Sequence, residues 1–139
     1  MSKLNRWSPH ALAVLRIITA LLFIEHGTVK FFDFPTPFEM DGPLPGILVA
    51  AGAIEIGAGL LILLGLFTRP AAFLASGTMA AAYWMAHAPQ NFWPVGNEGD
   101  AAILYCFVFL YLVFAGPGKW SLDTLRNRGS NDAATPANG

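Results

Sequence analysis

Residues 15–32 read LRIITALLFIEHGTVKFF, an apolar stretch that nevertheless carries the ionisable side chains Arg16, Glu25, His26 and Lys30. Counted from residue 11, the stretch is long enough to cross a bilayer, because about 20 helical residues at ~1.5 Å each cover a hydrocarbon core of ~30 Å. Charged side chains at membrane depth cost about 2.5 kcal/mol or more, so they normally face a bundle interior and pair with one another. The stretch therefore predicts a membrane helix bundle with a polar interior.

The composition agrees with a membrane protein. Of the 139 residues, 55% are hydrophobic and 12% are charged, and the mean hydropathy is +0.51, whereas soluble domains carry about 25% charged residues. A net charge of -1 without a basic stripe excludes a nucleic-acid-binding protein. Cys106 is the only cysteine, so an internal disulfide, a Cys-x-x-Cys pair and a four-cysteine metal site are all excluded. Lys3 and Arg6 resemble the start of a secretory signal, but the long apolar stretch without a cleavage site after Ile24 predicts a retained helix.

Four apolar stretches, over residues 11–32, 46–66, 71–87 and 101–115, predict an all-α membrane protein folded as an antiparallel four-helix bundle. The proline-rich acidic loop 33–45 and the loop 89–97 are expected to cover one mouth of the bundle. Pro70 suits the first turn of the third helix, with Thr68 as its cap. The predicted organisation is an N-terminal segment 1–10, a membrane domain 11–118 and a tail 119–139, mostly disordered and wholly so after Arg128.

Loop charge predicts the orientation of the bundle. Lys30 is the one basic residue near the loops 33–45 and 88–100. The opposite side carries Lys3, Arg6, Arg69, Lys119, Arg126 and Arg128. By the positive-inside rule, both termini are expected in the cytoplasm, in a multi-pass protein of a bacterial-type inner membrane. Trp7 and Trp120 on one side, and Trp84 and Trp93 on the other, suit the two interfaces.

The polar residues of the first helix divide between two faces. At about 100° per residue, Arg16, Phe23, Gly27 and Lys30 lie within about 60° of one another, with Glu25 on the face opposite Arg16. His26 lies at the border, and the glycine that follows it opens space beside the imidazole for a backbone or a ligand ring. We expect the first of these faces to point into the bundle.

Glu55 lies near the middle of the second apolar stretch, ~16 Å from the cytoplasmic end against ~21 Å for His26. An ionised carboxylate at that depth is paired or else protonates, so we expect Glu55 within reach of His26, Arg16 or Lys30. A purely structural ion pair with Arg16 or Lys30 is one alternative. In another, the two cations extend toward opposite membrane interfaces.

These positions define the candidate site. Proton handling is assigned to His26, Glu55 and Lys30. The wider ligand-binding set comprises Arg16, His26, Gly27, Lys30, Glu55, His87 and Asp100, although His87 also fits a simple interfacial histidine. No metal site is expected, because the two histidines lie on separate helices without ligand spacing. The sequence has no Ser-His-Asp order, phosphate loop or dinucleotide fingerprint that would indicate a hydrolase or a nucleotide-binding protein.

Motifs across residues 12–123 resemble the DoxX family in order and spacing. They are Leu15-Arg16-Ile17, Phe23, His26-Gly27, Lys30-Phe31, Glu55-Ile56, Gly59-Leu60, Gly65-Leu66, Thr68-Arg69, Ala71-Ala72, Asn97, Gly99-Asp100, Gly116-Pro117-Gly118 and Ser121-Leu122-Asp123. The family usually has glutamate where this chain has Asp100, and an apolar residue where it has Glu25. The resemblance implies a four-helix inner-membrane protein of a family whose members are often named after subunits of a thiosulfate:quinone oxidoreductase.

Three functions are compatible with this resemblance. The first is a quinone-interacting membrane subunit of an oxidoreductase, in which His26 and Glu55 exchange protons with a quinone head group while Lys30 and Arg16 tune them. The second is a non-catalytic partner or assembly module of a complex, and the third is passage of a small solute through the bundle. The partners considered are the lipid bilayer, a quinone, soluble or membrane oxidoreductase subunits, and a second copy of the chain.

Overall fold

The computed structural model describes residues 2–133, and within that range it contains helices and loops but no strand. The helices are α1 (Ser2–Asn5), α2 (Ser8–Phe32), α3 (Gly46–Leu64), α4 (Thr68–Ala82), α5 (Pro94–Asn97), α6 (Asp100–Ala115) and α7 (Leu122–Ala133). A π-helical turn, Tyr83–His87, continues α4. The predicted all-α fold is confirmed.

The four long helices α2, α3, α4 and α6 form the bundle. Helix α2 packs along α3 and α4 along α6, while α3 meets α4 and α2 meets α6. The pairs are antiparallel, because Arg16 near the start of α2 reaches the end of α3 and Arg69 at the start of α4 reaches the end of α6. We call the end with residues 2–8, 65–69 and 116–123 the terminal end, and the end with residues 33–45 and 88–99 the loop end.

Glycines bring α2 and α3 unusually close together. A Cβ on Gly27 would lie 2.6 Å from Ile56 and 2.8 Å from the carbonyl oxygen of Gly52, and a Cβ on Gly59 would lie 2.6 Å from Ile24. Such small-residue contacts are how membrane helices gain dispersion energy, because lipid offers no hydrophobic force between them. The glycines therefore set the distance at which polar groups on the two helices meet.

The burial pattern of the bundle suits a lipid environment. Phe73, Leu104 and Phe107 point outward and are exposed, whereas Arg16 and Glu55 are buried. The helical stretch Lys3–Phe32 and helix Gly46–Leu64 are long and apolar enough to cross a bilayer, and the apolar helix Asp100–Ala115 is shorter. Two of the predicted crossings thus meet the length requirement within the described residues. The full four-span topology and the cytoplasmic termini stay predictions.

The start of α4 corrects the predicted cap. The structure begins α4 at Thr68 rather than near Pro70, and the buried Thr68 hydroxyl has no hydrogen-bond partner among the described residues. The carboxylate of Asp123 instead accepts hydrogen bonds from the backbone amides of Phe67 and Thr68, each 2.9 Å long. The cap comes from a residue more than 50 positions away, so local sequence gave no sign of it.

The tail also differs from the prediction. Residues 129–133, expected to be disordered, continue helix α7 to Ala133, and 134–139 lie outside the described residues. Ser121 marks the start of the helix, because its hydroxyl oxygen accepts a hydrogen bond from the backbone amide of Thr124, 3.2 Å away. The carboxylate of Asp123 lies in the first turn, where it interacts favourably with the positive end of the helix dipole. Low apolar content therefore did not prevent local helix formation.

Asp123→Ala is expected to lower the free energy of unfolding by about 1–2 kcal/mol, because two amides at the start of α4 lose their acceptor. Thermal unfolding in detergent measures the loss, and Asp41→Ala, in the exposed loop 33–45, is the control. A loss no larger than that of the control would contradict the role of the cap.

The contribution of Asp123 depends on pH. Burial raises the pKa of Asp123, but hydrogen bonds from the Thr68 and Phe67 amides and the charge of Arg126 lower it more, so the pKa lies below its ordinary value. A carboxyl with a lower pKa in the folded state stabilises the protein above its unfolded pKa of about 3.9, and that stability is lost as the pH falls through the folded pKa. The difference between the native chain and Asp123→Ala should therefore be full near neutral pH and shrink below about pH 4.

Candidate functional site

The central polar contact of the bundle joins α2 to α3. Lys30 Nζ lies 2.7 Å from Glu55 Oε2 and 2.9 Å from Oε1, and it also donates to the His26 carbonyl oxygen at 3.1 Å. The side chain of Glu55 is 4% exposed and that of Lys30 12% exposed. The expectation that Glu55 pairs with a residue of α2 is confirmed, and the partner is Lys30.

Backbone geometry explains why this pair forms. A Cβ on Gly52 would lie 3.4 Å from Cδ of Lys30 and 3.0 Å from the Phe31 ring, so the glycine leaves the surface against which the lysine stem lies. Helical side chains lean toward the N-terminus of their helix, and Nζ accordingly lies beside the carbonyl of His26, one turn back. The ammonium therefore lies deeper in the bundle than its position near the end of α2 suggests.

His26 is adjacent to this pair but its imidazole takes no part in it. The imidazole is exposed and makes an edge-to-face contact with Tyr105 of α6, with the ring centroids 5.6 Å apart. Neither ring nitrogen hydrogen-bonds to another residue in the described range 2–133. Both nitrogens are therefore free to bind a ligand.

An open cavity of about 290 Å³ lies beside His26 at the loop end. It is lined by Glu25, His26, Val29, Lys30, Pro35, Thr36 and Phe38. A neighbouring cavity of about 260 Å³ is shared by Lys30, Asp33 and further loop residues. The loop 33–45 thus lies at the predicted mouth, whereas no residue of 89–97 lines either of these two cavities.

Arg16 lies apart from this group, at the terminal end. It is 0% exposed, and its five donor hydrogens meet five backbone carbonyl oxygens, those of Ile62, Leu63, Pro117, Lys119 and Trp120. A cation among carbonyls at the end of α3 also complements the helix dipole. Arg16 and Glu55 do not form an ion pair, since Glu55 pairs with Lys30.

The two remaining candidates, His87 and Asp100, lie near the second loop. His87 Nδ1 is 2.8 Å from the carbonyl oxygen of Asn97, and the imidazole stacks on Tyr83. Asn97 is 2% exposed and is held in turn by Asn91. Asp100 begins α6 on the surface. Among residues 2–133, neither His87 nor Asp100 hydrogen-bonds to Lys30, Glu55 or His26.

Tyr105 is the neighbour of His26 that sequence reasoning missed. Its ring contacts Phe23 and Phe109 as well as His26, with centroid distances of 6.0 and 5.9 Å to the two phenylalanines. A tyrosine within an apolar stretch gives no local signal, because its importance depends on which face α6 turns toward α2. No group of three or more His, Cys, Asp or Glu suited to a metal occurs within the described residues.

Comparisons with known proteins place this geometry in a family context. The DoxX family model matches residues 11–88. An uncharacterized protein of Haemophilus influenzae is 44% identical, over 88% of this chain and 96% of its own length. Inner membrane protein YphA of Escherichia coli is 33% identical, over 83% and 89%. An uncharacterized membrane protein of Mycobacterium tuberculosis is 28% identical, over 86% and 83%. No solved structure matches the chain.

Proposed function

Because this chain belongs to the DoxX family of membrane proteins, we propose that it binds a quinone head group in the cavity beside His26, as a membrane subunit of a redox system. The observation that carries the proposal is the His26 imidazole, which lines an open cavity with no hydrogen bond from either nitrogen within residues 2–133. A quinone supplies reversible electron and proton transfer when bound, and its carbonyl oxygens accept hydrogen bonds.

The residues present fit such a ligand. Val29, Pro35 and Phe38 give the cavity beside His26 apolar walls, and ligand sites are commonly apolar with a few placed polar groups. A neutral imidazole carries one N–H donor and one nitrogen acceptor, so it can donate a hydrogen bond to a carbonyl oxygen and exchange a proton with it. We assign the proton-handling role to His26.

Lys30 and Glu55 have a supporting role in this proposal. The three donors of Lys30 are used by the two Glu55 oxygens and the His26 carbonyl, and Glu55 is almost sealed from the surface. The pair therefore positions the helical turn that carries His26 and keeps a neutral charge balance beside it. Direct contact with the head group is assigned to His26 rather than to Glu55.

His26→Leu is expected to weaken quinone binding about tenfold, because it removes the imidazole donor, one hydrogen bond contributes about 1–1.5 kcal/mol, and 1.4 kcal/mol is tenfold. Calorimetric titration of the purified protein with a short-tailed benzoquinone measures the change. His10→Leu is the matched control, since His10 lies between Trp7 and Trp120 at the terminal end. Equal binding by both variants and the native chain would refute the quinone site.

A non-catalytic assembly role is the second candidate, and one observation favours it. The donors of Lys30 and of Arg16 are all used inside the chain, as expected of polar groups that specify helix packing. Extraction of the purified protein distinguishes the two candidates: co-extracted quinone supports the first, and its absence together with a stable bound partner protein supports the second.

A further inference from the structure

The seam between α2 and α6 contains a second cavity beside the His26 site. This groove of about 250 Å³ is lined by Thr19, Leu22, Ala101, Leu104, Tyr105 and Val108. Tyr105 lines it on one side and contacts the His26 ring on the other. The groove and the His26 cavity therefore lie side by side, with the contacting rings of Tyr105 and His26 between them.

Two hydroxyl groups in this seam make no hydrogen bond to any residue in the described part of the chain. They belong to Thr19, which is 7% exposed, and to Tyr105. By contrast, Thr28 on α2 donates to the carbonyl oxygen of Glu25, and Thr78 on α4 donates to that of Leu74. Polar groups within an apolar membrane seam normally find a partner, because lipid supplies none. Both hydroxyl-bearing residues line the groove, and the Tyr105 ring also contacts the imidazole. The two unpartnered hydroxyls therefore indicate a polar ligand group in the groove.

We infer that Tyr105 is a second head-group ligand and that the α2–α6 groove is the lateral entrance through which a tailed quinone reaches His26. This inference rests on the proposed function. A para-quinone carries a carbonyl oxygen at each end of its ring, so His26 and the Tyr105 hydroxyl can each donate to one of them. The groove walls of Leu22, Leu104 and Val108 suit the hydrocarbon tail, which would extend along the seam toward the lipid.

Tyr105→Phe tests the ligand role, because it removes the hydroxyl and keeps the ring contacts with Phe23, His26 and Phe109. We expect about tenfold weaker binding of a short-tailed benzoquinone, the loss of one hydrogen bond. Tyr111→Phe is the matched control, since Tyr111 is on the same helix and exposed. Thermal unfolding of both variants checks that neither has lost its fold.

A groove-filling variant tests the entrance. Leu104→Trp should slow association of a decyl-tailed quinone at least tenfold in stopped-flow mixing. A tailless, water-soluble benzoquinone should bind normally, because it reaches His26 through the loop-end cavity. Leu60→Trp, on an exposed position of α3, is the control. If Leu104→Trp fails to fold, Leu22→Phe fills the same groove from α2.

The outcomes separate this inference from the proposed function. Normal binding by Tyr105→Phe, with weakened binding by His26→Leu, would overturn the ligand role of Tyr105 and leave the quinone site standing. Equal slowing of tailed and tailless quinones by the groove-filling variant would overturn the lateral entrance. Normal binding by both His26→Leu and Tyr105→Phe, or no binding by the native chain, would overturn the inference together with the proposed function.

Discussion

Arg16→Met is expected to lower the free energy of unfolding by at least about 3 kcal/mol, since hydrogen bonds to a charged donor are worth about 1.5–3 kcal/mol each. The side chain links the end of α3 to the segment 117–120 through five carbonyl oxygens. Without it, those carbonyls lose a shared donor inside a buried region, and the helix end and the segment lose the group that joins them. Thermal unfolding of the purified protein in detergent measures the effect.

Two further variants show whether charge or geometry is responsible. Arg16→Lys keeps the charge but has only three donors on a compact group, so it should recover little of the stability. Arg6→Met is the control, because Arg6 is exposed and a surface substitution typically changes stability by less than about 0.5 kcal/mol. Full recovery by the lysine variant would show that the cation alone matters and would contradict the geometric explanation.

Glu55→Gln is expected to lower stability by about 3–5 kcal/mol, the usual cost of leaving one member of a buried ion pair uncompensated. The variant keeps the shape of the side chain but removes the charge that Lys30 binds at 2.7 Å. Unfolding in detergent, and accumulation of the protein in membranes, both report the loss.

The double variant Lys30→Met with Glu55→Leu tests whether the uncompensated charge of Lys30 causes this loss of stability. Replacing a whole buried pair by apolar residues is often neutral or stabilising, so the double variant should recover most of the stability that Glu55→Gln loses. It should still bind quinone more weakly than the native chain if the pair positions His26. A double variant as unstable as the single one would show that Glu55 has a further partner and would contradict the pair as described.

Much of the bundle followed from the sequence because helical periodicity is a local property. The face predicted for α2 is confirmed by the burial of Arg16, Phe23 and Gly27, with Glu25 on the exposed side. An ionised carboxylate inside a membrane costs free energy unless it is paired, and this argument correctly predicted that Glu55 has a partner. Composition and hydropathy were enough to indicate a membrane protein, in agreement with its relatives.

Which side chains pair with one another was decided only by the tertiary structure. Counting residues along each helix measures the depth of Cα atoms, but the Lys30 stem runs back one turn over Gly52 and brings its charge down to Glu55. The same limit hid the cap that Asp123 provides to α4 and the contact of Tyr105 with His26. Each depends on the register in which distant helices pack, and close packing between whole helix surfaces sets that register rather than any local pattern.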